Sequence, residues 1–322
     1  EWHNEKEDAI VLDPKGTKGK IIVLDNLKIQ LPEIPKDKKK ILFWNLPKEE
    51  QYWRAPEMPK GLTPETEDAF TEYILEEFRR RREGIHFYNN GEVVYLVGAH
   101  YMGLTHNRML DTGKTKEFRW AQCQLYYFMQ ACIVDDRSLG IDFVKGRRSG
   151  FTEAALDFTI NDSTSMKNAL LGMTSKTGED VEKMFSKYLY TLQNLPFFFI
   201  PVVKGKIDDK NKIEFAKVSD ASKAAKKKKD TNTDDYLNTK VDWQSSTTLA
   251  YDSTKLVRYI CDEAGKRERP QNILDHWDNI RPTMLQGGNV VGKCFMGSTL
   301  NPYDKGGKEF QTMYYGSDVK NR

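Results

Sequence analysis

The sequence predicts an α/β fold built on a mostly parallel β-sheet flanked by helices. From about residue 117 onward, short apolar runs of strand length alternate with longer segments of helical periodicity. This alternation favours βαβ units, in which the strands are parallel and the helices cover the sheet. The chain has 322 residues, 39% hydrophobic and 30% charged, which suits one large folded domain or two.

The first third of the chain predicts an irregular arm followed by a small accessory subdomain. Residues 1–60 contain six prolines and no clear periodicity, so we expect an irregular N-terminal arm. Residues 61–116 predict an accessory helix and a β-hairpin, and the helix begins near Leu62. The dipeptide Asn90-Gly91 separates two apolar runs and favours a two-residue hairpin turn, because both turn positions take positive φ.

Residues 117–322 are interpreted as one α/β domain. The predicted strands are 141–144, 169–173, 256–261 and 294–297, and the predicted helices are 117–132, 151–158, 179–192 and 273–284. A stretch at 204–252 interrupts the alternation. Its centre is rich in lysine and low in apolar residues, so we expect a mobile insert there.

Composition argues against several classes of protein. Every apolar run is far shorter than the roughly 20 residues that span a bilayer, and no secretory signal opens the sequence, so we expect an intracellular protein with no membrane partner. The four cysteines have no CxxC spacing, which argues against a disulfide framework. The net charge is only +3, but basic clusters lie at 36–40, 79–82 and 223–229. They are either solvated loops and helix ends or contacts to nucleic-acid phosphates.

The first motif that carries chemistry is a glycine-containing loop between a predicted strand and a predicted helix. It reads Lys145-Gly146-Arg147-Arg148-Ser149-Gly150-Phe151-Thr152. In the common phosphate-binding loop, backbone N–H groups hold the phosphates, a lysine reaches the terminal ones and a hydroxyl binds Mg²⁺. Gly150 and Thr152 occupy the glycine and hydroxyl positions, but Phe151 replaces the lysine. Either Lys145 or Arg148 supplies the missing charge, or the segment is an ordinary glycine turn.

Two further motifs follow predicted strands. Asp262 and Glu263 end an apolar run, where one carboxylate would bind Mg²⁺ and the next would activate water. The alternative is a strand that meets a polar helix cap. The hydroxyl residues of Gly297-Ser298-Thr299 would sense a γ-phosphate, although such residues are also common in loops. Because ligands of open α/β sheets bind at the carboxyl ends of strands, we expect the three motifs to share one site.

The three motifs, taken in this order, resemble those of the ATPase domain of phage terminase large subunits, which package double-stranded DNA. One branch of that family has a phosphate loop of the pattern Lys-x-x-Arg-x-Gly-aromatic-hydroxyl, which residues 145–152 match. Residues 262–266, Asp-Glu-Ala-Gly-Lys, resemble the family's acidic motif, and residues 297–299 resemble its coupling motif. The resemblance covers roughly residues 85–310.

The resemblance implies a P-loop NTPase fold of the ASCE, RecA-like type, with ATP and Mg²⁺ as ligands. The loop 145–152 would bind the nucleotide, and its Arg148 would also act in catalysis. Thr152 and Asp262 would bind the metal, and Glu263 would be the catalytic base. Gln122 would recognise adenine, unless its helix simply faces the core.

The resemblance also implies partners. The working form would be a homo-oligomeric ring, a pentamer by family analogy, docked on a viral portal protein in the host cytoplasm, with double-stranded DNA and a small terminase subunit as further partners. A neighbouring subunit would supply an arginine, for which Arg258, Arg267 and Arg269 are candidates, or a lysine in its place. We expect the family's nuclease domain to be absent from these residues. Two alternatives stay open, a DExx-type helicase and a DNA- or portal-binding module with a degenerate nucleotide site.

Overall fold

The computed structural model describes residues 2–220, 233–267 and 271–317, and the chain divides into two compact units. The first unit comprises Glu1–Arg108 and Thr112–Asp135, and the second comprises Met109–Asp111 and Asp136–Arg322. Within the described ranges, no helix is both long enough and apolar enough to cross a membrane.

The first unit contains two small sheets and three α-helices in its described residues. Its strands are β1 (His3–Asn4), β2 (Ala9–Val11), β3 (Ile21–Leu24), β4 (Leu27–Gln30), β5 (Ile41–Leu42), β6 (Ile85–Asn89) and β7 (Glu92–Leu96). Its helices are α1 (Thr71–Glu83), α2 (Gly98–Thr105) and α3 (Trp120–Val134). The sheets have the orders β1-β2-β4-β3 and β5-β6-β7. The helix α3 belongs to this compact unit, whereas the sequence-based border of the α/β domain is residue 117.

The four-stranded sheet corrects the prediction that residues 1–60 form an irregular arm. Its strands are only two to four residues long, and such short strands carry little of the alternation by which a strand is recognised in sequence. Ile10 and Ile29 are nonetheless fully buried in it. The predicted hairpin is present: Asn90 and Gly91 have φ of 50° and 85°, and β6 and β7 pair antiparallel around them.

The second unit is built on a six-stranded sheet. The strands of this unit are β8 (Gly140–Val144), β9 (Leu170–Thr174), β10 (Lys212–Glu214), β11 (Lys240–Trp243), β12 (Arg258–Asp262), β13 (Leu285–Gln286), β14 (Asn289–Val290) and β15 (Lys293–Ser298). Of these, β13 and β14 form a separate two-stranded sheet. The helices of this unit are α4 (Phe151–Ser163), α5 (Gly178–Gln193), α6 (Ile273–Ile280) and α7 (Gly307–Gly316). The sheet order is β10-β11-β9-β12-β15-β8, and only β10 pairs antiparallel, which confirms an α/β unit with a largely parallel sheet.

The stretch 204–252, predicted to be a mobile insert, contributes β10 and β11 to one edge of this sheet. Ile213 and Val241 face the core, and charged residues lie on either side of each in the sequence. Apolar and charged residues alternate over only three or four positions in each strand, which is too short a pattern to predict a strand from sequence. The centre of the stretch, with the basic cluster 223–229, lies outside the described residues.

The central strands β12 and β15 are buried along almost their whole length. Strands buried on both faces read as continuous apolar runs, as these two do. Since β8, β15 and β12 are parallel neighbours, their carboxyl ends lie on the same edge of the sheet. This edge carries all three motifs that the sequence singles out.

Candidate active site

The phosphate-loop candidate and the acidic pair meet at the carboxyl edge of the sheet. The Lys145 ammonium forms an ion pair with Asp262 and lies 3.3 Å from Oε1 of Glu263. The Thr152 hydroxyl, at the start of α4, donates to Oδ2 of Asp262 at 3.1 Å. Residues from two distant segments of the chain therefore form one cluster of a cation, a hydroxyl and two carboxylates.

Lys145 is positioned by the sheet. It directly follows β8, and its backbone N–H donates to the Ser298 carbonyl at 2.9 Å, which extends the β8–β15 ladder by one rung. Its side chain is only 8% exposed, and its ammonium lies 3.4 Å from the Thr152 hydroxyl and 5.5 Å from the centre of the Phe151 ring. The cation is thus held at the acids by the strand rather than by the helix.

The loop between Lys145 and α4 lies at the surface. Gly146, Arg147 and Arg148 are exposed, and Gly150 has a φ of 84° at the N-cap of α4. Only glycine adopts this left-handed conformation without strain, so Gly150 turns the chain directly into the helix. The first N–H groups of a helix have no partner within the helix and favour anions. The loop therefore brings a helix N-terminus to the acidic edge.

Phe151, in the position of the usual lysine, is a core residue. Its side chain is 1% exposed and stacks on Phe143 with ring centres 5.3 Å apart. Gly297 leaves room for it, because a Cβ at residue 297 would lie 2.5 Å from the ring. The predicted nucleotide-binding role of Phe151 can therefore involve only its backbone N–H, not its side chain.

Glu263 lies in a left-handed backbone conformation just beyond β12, with φ of 50°. Its Oε2 accepts from the Thr299 hydroxyl at 3.0 Å and pairs with the Lys266 ammonium at 3.0 Å. Burial opposes the charge of this carboxyl, but Lys266, Lys145 and Thr299 outweigh burial and lower the pKa of Glu263 below its ordinary value. The group is ionised at neutral pH, as a base must be.

The three residues of the coupling motif differ in what they contact. Thr299 contacts Glu263 through its hydroxyl and, at 3.4 Å, its backbone N–H. Ser298 is fully buried and donates its hydroxyl to the Thr299 carbonyl, so it does not face a ligand at the acids. Gly297 contacts the Phe151 ring. Only Thr299 is thus in direct contact with the acidic pair.

Two of the three candidate arginines are used inside the subunit. Arg258 is buried, pairs with Asp162 at 2.6 Å and lies over the Phe295 ring. Arg267 is also buried and donates to Thr174 at 3.0 Å. Both guanidinium groups are buried within this chain, so neither is exposed toward a neighbouring subunit, and the choice among the candidates stays open.

The remaining two assignments are not resolved at the site. Arg269 lies outside the described residues. Gln122 is half-buried on α3 of the first unit, and its role with adenine stays a prediction.

The donors at the acids suit a metal that is shared with a ligand. Among the described residues, no group of three or more His, Cys, Asp or Glu side chains is arranged to hold a metal ion. Asp262 and Thr152 offer a carboxylate and a hydroxyl side by side. This pair fits Mg²⁺, which commonly takes one or two carboxylates and completes its shell with phosphate oxygens and water.

The sequence did not predict the ion pair between Lys266 and Glu263. Only the spacing of three residues between them hints at this contact.

Comparisons with known proteins give a structural likeness but no sequence match. No family model and no curated protein matches the chain. Among solved structures, the chain is similar to the crystal structure of the HK97 bacteriophage large terminase, with a TM-score of 0.46 and 12% sequence identity. The match covers 68% of this chain and 40% of that chain, so it spans less than half of that terminase.

Proposed function

We propose that this chain is the ATP-hydrolysing motor of a viral terminase large subunit, which couples hydrolysis to translocation of double-stranded DNA into a procapsid. The convergence of Lys145, Thr152, Asp262 and Glu263 carries the proposal. These four side chains are the types that phosphoryl transfer to water requires: a cation for phosphate, two oxygen ligands for Mg²⁺ and a base. The terminase assignment itself rests on the sequence resemblance.

Each side chain has a distinct part in the proposed reaction. Lys145, which pairs with both carboxylates, turns to the phosphates when ATP binds, because their charge competes for the ammonium. Thr152 and Asp262 hold Mg²⁺, which supplies charge stabilisation at the phosphate oxygens. Glu263 orients the attacking water and accepts its proton. Arg148, at the surface of the loop, reaches the phosphate charge from the side of the solvent.

Coupling to movement starts at Glu263. Lys145 and Thr299 both contact this carboxylate, so departure of the lysine toward phosphate changes what holds Thr299. Thr299 directly follows β15 and opens the segment that leads to α7. Double-stranded DNA, a portal protein, a small terminase subunit, a homo-oligomeric ring and action in the host cytoplasm belong to the same proposal and rest on family analogy.

The test is the Glu263→Gln variant in an ATPase assay, since glutamine keeps the shape of the side chain and removes the base. We expect hydrolysis to fall by about 10²- to 10⁴-fold, with ATP binding retained. Glu179→Gln, a change at an exposed glutamate on α5, is the matched control and should hydrolyse ATP like the wild type. Unchanged turnover in Glu263→Gln would refute the proposal. Translocation along blunt duplex DNA without unwinding of a forked substrate would separate the packaging motor from a helicase.

A further inference from the structure

The first unit contains a cavity of about 760 Å³ whose lining includes no residue of the phosphate loop or of the acidic pair. Segments 52–55, 104–108 and 113–118 form most of its wall. Its volume falls within the range of about 300–1,000 Å³ that is typical of small-molecule sites. We call it the 53/118 cavity, after the two aromatic residues Trp53 and Phe118 in its wall.

The aromatic part of the wall is held in place by packing. The Trp53 ring meets the Phe87 ring edge-on at 5.2 Å, and its indole N–H donates to the Leu104 carbonyl at 3.4 Å. The Phe118 ring also meets Phe87 edge-on at 5.2 Å. Tyr52, by contrast, is 55% exposed. The cavity thus offers fixed aromatic surfaces and one exposed ring.

The charged part of the wall has more basic side chains than acidic ones. It has four basic side chains and a single acidic one: Arg54, Arg108, Lys114, Lys116 and Glu117. The Arg54 guanidinium lies over the Tyr52 ring at 5.4 Å. In the part of the chain that the structure describes, neither Arg54 nor Lys114 forms an ion pair with a carboxylate. This excess of basic over acidic side chains favours an anionic ligand.

We propose that the 53/118 cavity binds a nucleotide, with its base against the aromatic wall and its phosphate on the cationic side chains. Bases stack on aromatic rings whatever their identity, and neighbouring cations hold the phosphate. The ligand is a free nucleotide or an unpaired nucleotide of a strand, since a base inside a duplex cannot present its face. The inference is independent of the proposed motor function, because it uses neither the phosphate loop nor the acidic pair.

The experiment measures fluorescence anisotropy of labelled oligothymidylate, with competition by thymidine monophosphate. EDTA is present, so that no Mg-dependent nucleotide binding contributes. Tyr52→Ala and Lys114→Glu change exposed residues of the cavity, and each should weaken binding by roughly tenfold. Lys114→Glu should also reduce the salt dependence, by about 0.7 in the log–log slope for each phosphate that no longer has a cation beside it. The matched controls are Tyr315→Ala and Lys20→Glu, which change exposed residues outside the cavity and should bind like the wild type.

The two probes separate the two sources of the ligand. If the cavity variants weaken the binding of the mononucleotide as much as that of the oligonucleotide, the ligand is a free nucleotide. If they weaken only the binding of the oligonucleotide, the ligand is an unpaired strand. The proposal is overturned if the wild type binds neither probe, or if the controls weaken binding as much as the cavity variants do. It is also overturned if Tyr52→Ala raises the KM for ATP but leaves both thymidine probes unaffected, since the cavity would then serve the ATP site. Loss of ATPase activity in Glu263→Gln would change none of these outcomes.

Discussion

A single methyl group at Gly297 tests the finding that the aromatic residue of the phosphate loop is part of the core. In Gly297→Ala, the new Cβ would lie 2.5 Å from Cε1 and 2.8 Å from Cδ1 of the Phe151 ring. An ordinary contact begins at 3.4 Å, so the ring must retreat by almost 1 Å. It has little space for this, because it is buried and stacked on Phe143.

We expect Gly297→Ala to lower the free energy of unfolding by about 1–3 kcal/mol, the usual cost of overpacking a core. In a unit of this size, each kcal/mol corresponds to roughly 2–4 °C in Tm. Urea and thermal unfolding measure the change. Gly146→Ala adds the same methyl group to the same site, but no atom lies within 4 Å of its Cβ, so its effect should stay within about 0.5 kcal/mol.

A second substitution identifies the clash. Phe151→Leu removes the ring that meets the new methyl group, so the double variant should be more stable than the sum of the two single changes allows. The interaction free energy should be about 0.5–3 kcal/mol, the range for residues in contact. If Gly297→Ala is as harmless as Gly146→Ala, or if Phe151→Leu gives no relief, the ring does not occupy this space and the reasoning fails.

Two further predictions concern charged side chains. Lys145→Ala should lower ATP hydrolysis per folded molecule far more than Phe151→Leu does, because only the lysine places a charge beside Asp262 and Glu263. Steady-state rates corrected for the folded fraction measure this, and equal losses would contradict it. Glu77 in the first unit is fully buried, and although burial opposes its charge, hydrogen bonds from His106 and Tyr101 and the charge of Arg80 lower the pKa of Glu77 below its ordinary value. The ionised Glu77 therefore contributes stability above the unfolded pKa of about 4.3, and this contribution is lost as the pH falls through the lower folded pKa. The wild type should lose more free energy of unfolding on acidification than Glu77→Gln does. Urea unfolding across that pH range measures the difference.

Long buried strands made the second unit predictable from sequence. The strands at 258–262 and 293–298 are buried nearly throughout, so they read as apolar runs, and their observed ends lie within a few residues of the predicted ones. The N-terminal sheet and the strand at 240–243 were missed for the opposite reason. They are short, and half of the residues at 240–243 are charged, so local pattern does not distinguish these strands from loops.

The site was predictable in its backbone but not in its side-chain directions. The rule that ligands lie at strand carboxyl ends was enough to place Lys145 and Asp262 together. Sequence did not reveal that Phe151 and Ser298 point into the core, because either could equally face a ligand. It also did not reveal that Arg258 is paired, since its partner Asp162 is 96 residues away in the chain.

The hydrogen bond from the Lys145 N–H to the Ser298 carbonyl joins Lys145 directly to the strand that leads to Thr299. In a phosphate-binding loop whose lysine lies on the helix, a shift of the sheet does not move the lysine through such a hydrogen bond. Here, any slide of the strand that ends at Ser298 pulls on the backbone of Lys145, and the neighbouring Thr299 pulls on Glu263 at the same time. In the proposed motor, force applied to this strand from outside would therefore displace Lys145 and Glu263 in a single movement.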